Sequence, residues 1–306
     1  MYIPTFFEPV KRLLKWEKVA IDNFVFRLHY KITVVMLLVF VAMVTAKQHF
    51  GDPIDCHMES SNSIQPKATN GWCWLTGTYT NGFIRKEDEE YCLQTYTRDI
   101  CRFGTFNAKL HTRVYHNYYQ WVAWVLFLQA LLFHTPRLIW KTLEGGKVKF
   151  ITSKCEVTLP LNEEEQEERV RRLYTLYAKY AGKNNMYALI FFVCEVLNLL
   201  NVCLNLLLVD VFLQGRFKNY GSDAIKAYLR GEDDPMGDAF PKASKCKFER
   251  YASGGDLVNH ESLCILSLNI VNDKVYLVMW LWFHFLVVIT SLNLIYRALV
   301  LLIPMD

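Results

Sequence analysis

An all-α membrane protein with four transmembrane helices and two disulfide-bearing outer loops is the fold class this sequence predicts. Three observations carry it: four long apolar runs, an excess of Lys and Arg confined to alternate connecting segments, and two polar loops that each hold a cysteine pair 17 or 18 residues apart. Composition alone would not suffice, because a chain of 306 residues that is 52% hydrophobic and 15% aromatic also suits a soluble protein. The distribution of those residues decides.

Residues 1–31 precede the first apolar run. Within them Val10, Leu13 and Leu14 recur at helical spacing among Lys11, Arg12 and Lys15, which predicts an amphipathic helix. The first span is 32–46, 15 residues without charge, and Lys31 and Lys47 can extend their aliphatic stems to the interface at its two ends. Val44-Thr45-Ala46 would pass as a signal-peptide end, but the 31 residues ahead of the span are too many for one. The second and fourth spans, 114–135 and 275–296, each run 22 residues without Lys, Arg, Asp or Glu, against the roughly 20 that cross the hydrocarbon core as a helix. The third, 184–210, is interrupted before its last residue only by Glu195. Connecting segments 47–113, 136–183 and 211–274 and a short tail, 297–306, complete the chain.

Sidedness follows from the basic residues. Segment 1–31 holds six Lys/Arg against three Asp/Glu and 136–183 holds ten against seven, whereas 47–113 has eight of each sign and 211–274 nine of each. Positive segments face the cytoplasm, so both termini and the middle loop are predicted to be cytoplasmic and the two cysteine-bearing loops extracellular. The net charge of +4 follows from that asymmetry, and nucleic acid is not an expected partner.

Cysteine use agrees with this orientation. Cys56, Cys73, Cys92, Cys101, Cys246 and Cys264 fall in the outer, oxidising loops, Cys155 in the middle loop, and Cys194 and Cys203 in the third span. Six outer thiols leave the connectivity open. Short Cys-x-x-Cys spacing is absent, so neither a metal site nor a cofactor is expected, and no outer Asn-x-Ser/Thr acceptor would place a glycan on the outer face. That face is left free for contact with another protein. No nucleophile constellation or nucleotide-binding Gly motif points to an enzyme.

At the second span the residues carry a family resemblance. Tyr118-Tyr119-Gln120-Trp121-Val122, followed by Phe127-Leu128-Gln129-Ala130-Leu131-Leu132-Phe133, Pro136-Arg137, Trp140-Lys141 and Glu144-Gly145-Gly146, resembles the signature of the innexins, the invertebrate gap-junction channel proteins. The resemblance extends to Ile21-Asp22-Asn23 with Phe26 through Lys31, to Gly51 through Cys56, to Trp72-Cys73-Trp74 and to Gly77-Thr78-Tyr79. Cys194-Glu195 with Leu197-Asn198 and Asn201-Val202, then Phe217 with Tyr220-Gly221, Phe240-Pro241 with Lys245-Cys246, and Leu268 through Asn272 continue it over nearly the whole chain.

The resemblance implies a channel subunit that assembles as a homo-oligomeric ring, of eight subunits by family likeness, in the lipid of the plasma membrane. Two rings docked across the intercellular gap would form a gap junction and one ring a hemichannel, with related subunits as co-assembly partners and ions and small metabolites as permeants. It further implies disulfides between the loops, Cys56 with Cys264 and Cys73 with Cys246. It also implies that Met1, Tyr2, Ile3, Pro4, Thr5, Phe6 and Phe7 fold into the channel entrance as its narrowest funnel. Two departures stand out: innexins usually carry some tens of residues after the fourth span whereas this sequence stops at Asp306, and Cys92 and Cys101 are additional to the family pairs, either bonded together or unpaired. The competing class is a four-span adhesion or scaffolding protein of the tetraspanin or claudin type, in which the cysteine framework lies mainly in one outer loop.

Several of these residues have a physical reading of their own. Tyr118, Tyr119 and Trp121 stand at the outer end of the second span, where aromatic rings form an interfacial belt. Glu195, Asn198, Asn201 and Asn205 recur at steps of three, three and four and share one helical face. That stripe either lines a pore or supplies interhelical hydrogen bonds, the commoner use, with His284, Gln120 or Gln129 as partners. The first span offers few polar groups beyond Thr33 and Thr45 to wet a water-filled path. Just beyond it, Asp52 and Asp55 would repeat around a ring and concentrate cations at the mouth, or Asp52-Pro53 simply turns the chain. In the middle loop, Glu165, Glu167 and Glu168 precede Arg169, Arg171 and Arg172 at steps of four, which predicts a solvated helix.

Overall fold

A computed structural model of the chain describes residues 21–57, 66–95, 101–102, 107, 109–149, 167–168, 170–172, 174–175, 185–231, 235–251 and 254–302. Four helices are long and apolar enough to cross a membrane. They are α1 (Phe24–Phe50), α4 (Val122–Glu144), α5 (Asn185–Phe212) and α7 (Ser267–Leu302). Between α1 and α4 lie β1 (Asp55–His57), α2 (Pro66–Thr76), β2 (Thr78–Phe83), α3 (Lys86–Thr95) and β3 (His111–His116). Between α5 and α7 lie α6 (Tyr220–Arg230), β4 (Ala243–Tyr251) and β5 (Leu257–Ile265).

These elements form two compact units. A helical unit draws on the chain up to Val39, on Leu126–Leu208 and on the chain from Trp282 onward, and a sheet unit comprises Phe40–Val125 and Val209–Leu281.

In the helical unit the first helix begins at Asn23, whose side chain accepts from the Phe26 N–H at 2.7 Å and so caps one of the orphan donors of the first turn. Leu28–Thr33 widen into a π-helical stretch, within which the Thr33 hydroxyl donates to the Leu28 carbonyl at 2.9 Å. Phe26 stacks on Phe191 and Trp140 packs edge-on against both Phe191 and Tyr187, closing an aromatic core with the buried Cys194 thiol. Pro136 sits inside α4, where it lacks the N–H that would bond the Leu132 carbonyl. The side-chain amide of Asn201 on α5 donates to that carbonyl at 3.2 Å, which supplies the missing bond in a setting without water.

The sheet unit is an antiparallel, five-stranded sheet in the order β1-β5-β4-β2-β3. Its strands come from both polar loops. The segment 114–116 belongs to β3, paired from Thr78↔His116 to Phe83↔His111, so the helix expected to start at Val114 starts at Val122 and continues past Pro136 to Glu144. His111 through His116 pair as a strand, yet from Val114 on the segment carries no charge, and an apolar count cannot tell such a strand from the start of a helix. The other three helices likewise outrun the apolar stretches, α1 starting at Phe24 and α7 spanning 267–302, because helical hydrogen bonding continues into charged and polar flanks.

Candidate functional site

The sheet unit is built around sulfur. Cys56 is bonded to Cys264 and Cys73 to Cys246, so each cross-link joins one polar loop to the other, and Cys92 is bonded to Cys101 within the first. Register explains the first bond, since Cys56 of β1 faces Cys264 of β5 directly. Helical spacing explains the second, since Cys73 lies one turn beyond Thr69 and both are fully buried on the inner face of α2, opposite Trp72 and Leu75. The Ser262 hydroxyl lies between the two bridges, 3.8 Å from the Cys73 sulfur and 3.7 Å from that of Cys264. Ile54, Leu266 and Trp74 complete this core. The sulfurs of Cys56, Cys73 and Cys264 cluster closely, but as disulfide sulfurs they do not offer thiolates to a metal.

The signature residues serve this core. The Tyr119 hydroxyl donates to the Cys73 carbonyl at 3.1 Å, Gln120 donates to the Trp74 carbonyl, and the Trp74 and Tyr119 rings lie 4.7 Å apart. Tyr118 is packed edge-on against Phe240 at 5.6 Å, and its hydroxyl accepts from Asn269 at 3.1 Å. Burial pushes both phenol pKa values well above the usual range. Tyr119 and Val122 are buried and Tyr118 is half-buried, whereas Trp121, 60% exposed, keeps most of its face for a belt. Tyr119 turns inward because the chain here is a 3₁₀ turn and not yet the long helix. Gly77 makes the preceding turn at φ +85°, where a Cβ would run into the Asn117 side chain.

Asp52 and Asp55 are both exposed just beyond α1, and the Asp52 carbonyl accepts from Ser267. Deeper in the sheet unit a cavity of about 330 Å³ is lined by Thr80, His116, Arg102, Arg216 and Asp238 among others. Arg102 pairs with Asp238, and Thr80 and His116 share a 2.9 Å hydrogen bond. Burial, reinforced by the two guanidinium charges, lowers the His116 pKa to about 3, so the ring is neutral. Burial and the nearby Glu261 raise the Tyr79 phenol to about 12.

In the helical unit the polar stripe faces inward, with Glu195, Asn198 and Asn205 buried. The Glu195 Oε1 accepts from Asn23 at 2.5 Å and from Asn293 at 2.9 Å, Asn201 bonds the Leu132 carbonyl, and Asn205 donates to the Asn201 carbonyl at 2.8 Å. The stripe therefore ties helices together through Asn23, Asn293 and the Leu132 carbonyl, with neither Gln120 nor Gln129 among these partners. Gln120 is engaged by Trp74 and the Gln129 amide is buried without a hydrogen-bond partner among the described residues. Thr33, expected to help wet a path, is fully buried and accepts from the Trp282 indole at 2.8 Å.

One buried ion network was not anticipated: Asp22 receives Arg27 at 2.8 Å and Arg137 at 3.1 Å, and Arg137 also stacks over Tyr30. The pairing of an acid before α1 with a base inside α4 was visible only as motif membership. The expected entrance residues Met1 through Phe7, the amphipathic helix at Val10, Leu13 and Leu14, and Glu163 through Glu165 lie outside the described residues. Of the middle-loop pairs, Glu168 and Arg172 meet at 2.6 Å on an exposed surface.

Comparison with known proteins adds an independent result. The family model described as Innexin matches residues 22–306. Innexin inx2 of Drosophila melanogaster is 40% identical over 303 residues, covering 97% of this chain and 80% of that protein. Innexin inx2 of Schistocerca americana is 40% identical over 300 residues, covering 95% and 79%, and innexin inx3 of Drosophila melanogaster is 35% identical over 291 residues, covering 94% and 71%.

Proposed function

This chain belongs to the innexin family, and from that premise we propose how its residues divide the work of a gap-junction channel subunit. It is a multi-pass membrane protein of a channel family, and its subunits act as an oligomer. The subunits form a ring of eight, alone as a hemichannel or docked to an opposing ring on a neighbouring cell, and related subunits enter the same ring. Both termini and the middle loop are cytoplasmic, and the sheet unit is extracellular. Ions and small metabolites pass by diffusion.

The observation that carries this reading is the cross-linked sheet. Two loops far apart in sequence, 208 and 173 residues between bonded cysteines, are fastened into one rigid surface. Preorganisation of that kind lowers the ordering cost of binding another protein surface. A tetraspanin-like or claudin-like adhesion protein concentrates its cysteines in one loop, and here each loop supplies half of both bridges.

Control of permeation lies at the two mouths. Met1 through Phe7 narrow the path on the cytoplasmic side, and the exposed Asp52 and Asp55, repeated around the ring, raise the local cation concentration on the other. Expression of this chain alone in paired cells should give junctional conductance. Deleting Met1 through Phe7 should alter conductance or gating at normal surface expression. No conductance from well-expressed, ring-sized assemblies would overturn the channel reading.

A further inference from the structure

The helical unit contains a cavity of about 440 Å³, within the range of small-molecule sites, that the channel reading does not use. Its walls are Trp140, Tyr187, Phe191, Phe192, Val148 and Val300, and Asp22, Asn23, Glu195 and Arg297 add polar groups to the same lining. The cavity thus touches all four long helices or their immediate flanks.

Glu195 gives this cavity its chemistry. Its side chain is 3% exposed, and Oε1 is satisfied by the two Asn amides. Oε2 has no hydrogen-bond partner among the described residues, because the nearest donor, Arg297 Nε, stands 3.6 Å away. That separation makes an ion pair, but it is too long for a hydrogen bond. A buried carboxylate oxygen without a donor is costly, more so between apolar walls. The aromatic walls suit a cation, as the Arg297 guanidinium over the Phe191 ring at 5.2 Å shows; Trp140 packs on that ring and Tyr187 on Trp140, and an incoming ammonium would share the Glu195 carboxylate with Arg297. We infer that this cavity binds the ammonium head of an amphiphile, with the charge on Glu195 Oε2 and among the aromatic faces and the apolar body running out along Val148 and Val300. The ammonium belongs either to an aminophospholipid headgroup or to a free lipophilic amine. Because the ligand would bridge groups from every long helix, occupancy would couple membrane composition to the packing of the unit.

The test uses the assembled full chain in lipid nanodiscs. Dodecylamine and dodecanol, each carrying the same photoactivatable diazirine, are compared for labelling of the peptide containing Tyr187 through Phe192. The amine should label it in preference to the alcohol, and Glu195→Gln, which keeps the acceptor for Asn23 and Asn293, should cut amine labelling roughly tenfold. Ala188→Phe, at the cavity lining, should block both probes and serves if the first variant does not assemble. Competition by phosphatidylethanolamine but not phosphatidylcholine nanodiscs would make the lipid headgroup the source, and amine labelling untouched by either lipid would make it a free amine. Equal labelling by amine and alcohol, labelling unaffected by Glu195→Gln, or labelling that persists unchanged in Ala188→Phe would overturn the site. None of these readouts depends on conductance, so the channel reading and this one fail separately.

Discussion

The two units solve the same problem with different chemistry. The sheet unit is held by three disulfides and a continuous antiparallel ladder, whereas the helical unit has no disulfide among its described residues and its Cys194 thiol is free and buried. Its cohesion comes from Asp22 with Arg27 and Arg137, from Glu195 with Asn23 and Asn293, and from aromatic packing around Trp140. The difference teaches what each setting lacks. Loops of this size bury too little apolar surface to order themselves, and the disulfides supply covalent closure. Apolar helices in lipid gain nothing from burying hydrocarbon against hydrocarbon, so packing and polar pairs provide specificity.

If that contrast is correct, the largest loss from one substitution lies in the helical unit. Arg137→Ala leaves Asp22 buried with half its partners and should cost about 3–5 kcal/mol, read as faster hydrogen exchange in α4 and α5 with the sheet protected as before. Equal deprotection of both units would break the contrast. Cys73→Ser combined with Cys246→Ser should cost about 2–5 kcal/mol and reverse the pattern, loosening the sheet first and reducing functional docking. Gly221→Ala sharpens the comparison within the sheet unit, because its Cβ would overlap the Trp280 ring. An overpacking cost of about 1–3 kcal/mol, measured as a lower melting temperature of the detergent-solubilised ring, is expected.

A pH series separates the units further. His116 is held neutral by burial, so between its ordinary pKa of 6.5 and about 3 the unfolded chain binds a proton that the folded chain does not. The His116 contribution is therefore constant above pH 6.5 and lowers the stability of the sheet unit as pH falls from there to about 3, by at most about 1.4 kcal/mol per pH unit. His116→Gln should flatten that dependence, and an unchanged slope in the variant would assign it to another group. The smallest effect on stability belongs to Asp52→Asn with Asp55→Asn. Both side chains are exposed, so assembly should be unaffected while cation preference, read from reversal potentials, decreases. Unaltered reversal potentials would remove these residues from the permeation path.

The sequence by itself determined the four long helices, because an uncharged stretch near 20 residues has few other uses, and it determined which cysteines share a compartment. Glu195, Asn198, Asn201 and Asn205 were also legible as a stripe, since helical periodicity is local. Partnership was not legible. That Asn201 completes the bond broken by Pro136, that Glu195 meets Asn23 and Asn293, and that Tyr119 reaches the Cys73 carbonyl are contacts across 46 to 172 residues, which no local period encodes. The sheet was hidden for the same reason. Cys56 faces Cys264 only once β1 pairs with β5, and 111–116 become a strand only when β2 offers them an edge. Strand choice depends on neighbours that tertiary structure supplies, whereas a helix in an apolar medium satisfies its own backbone.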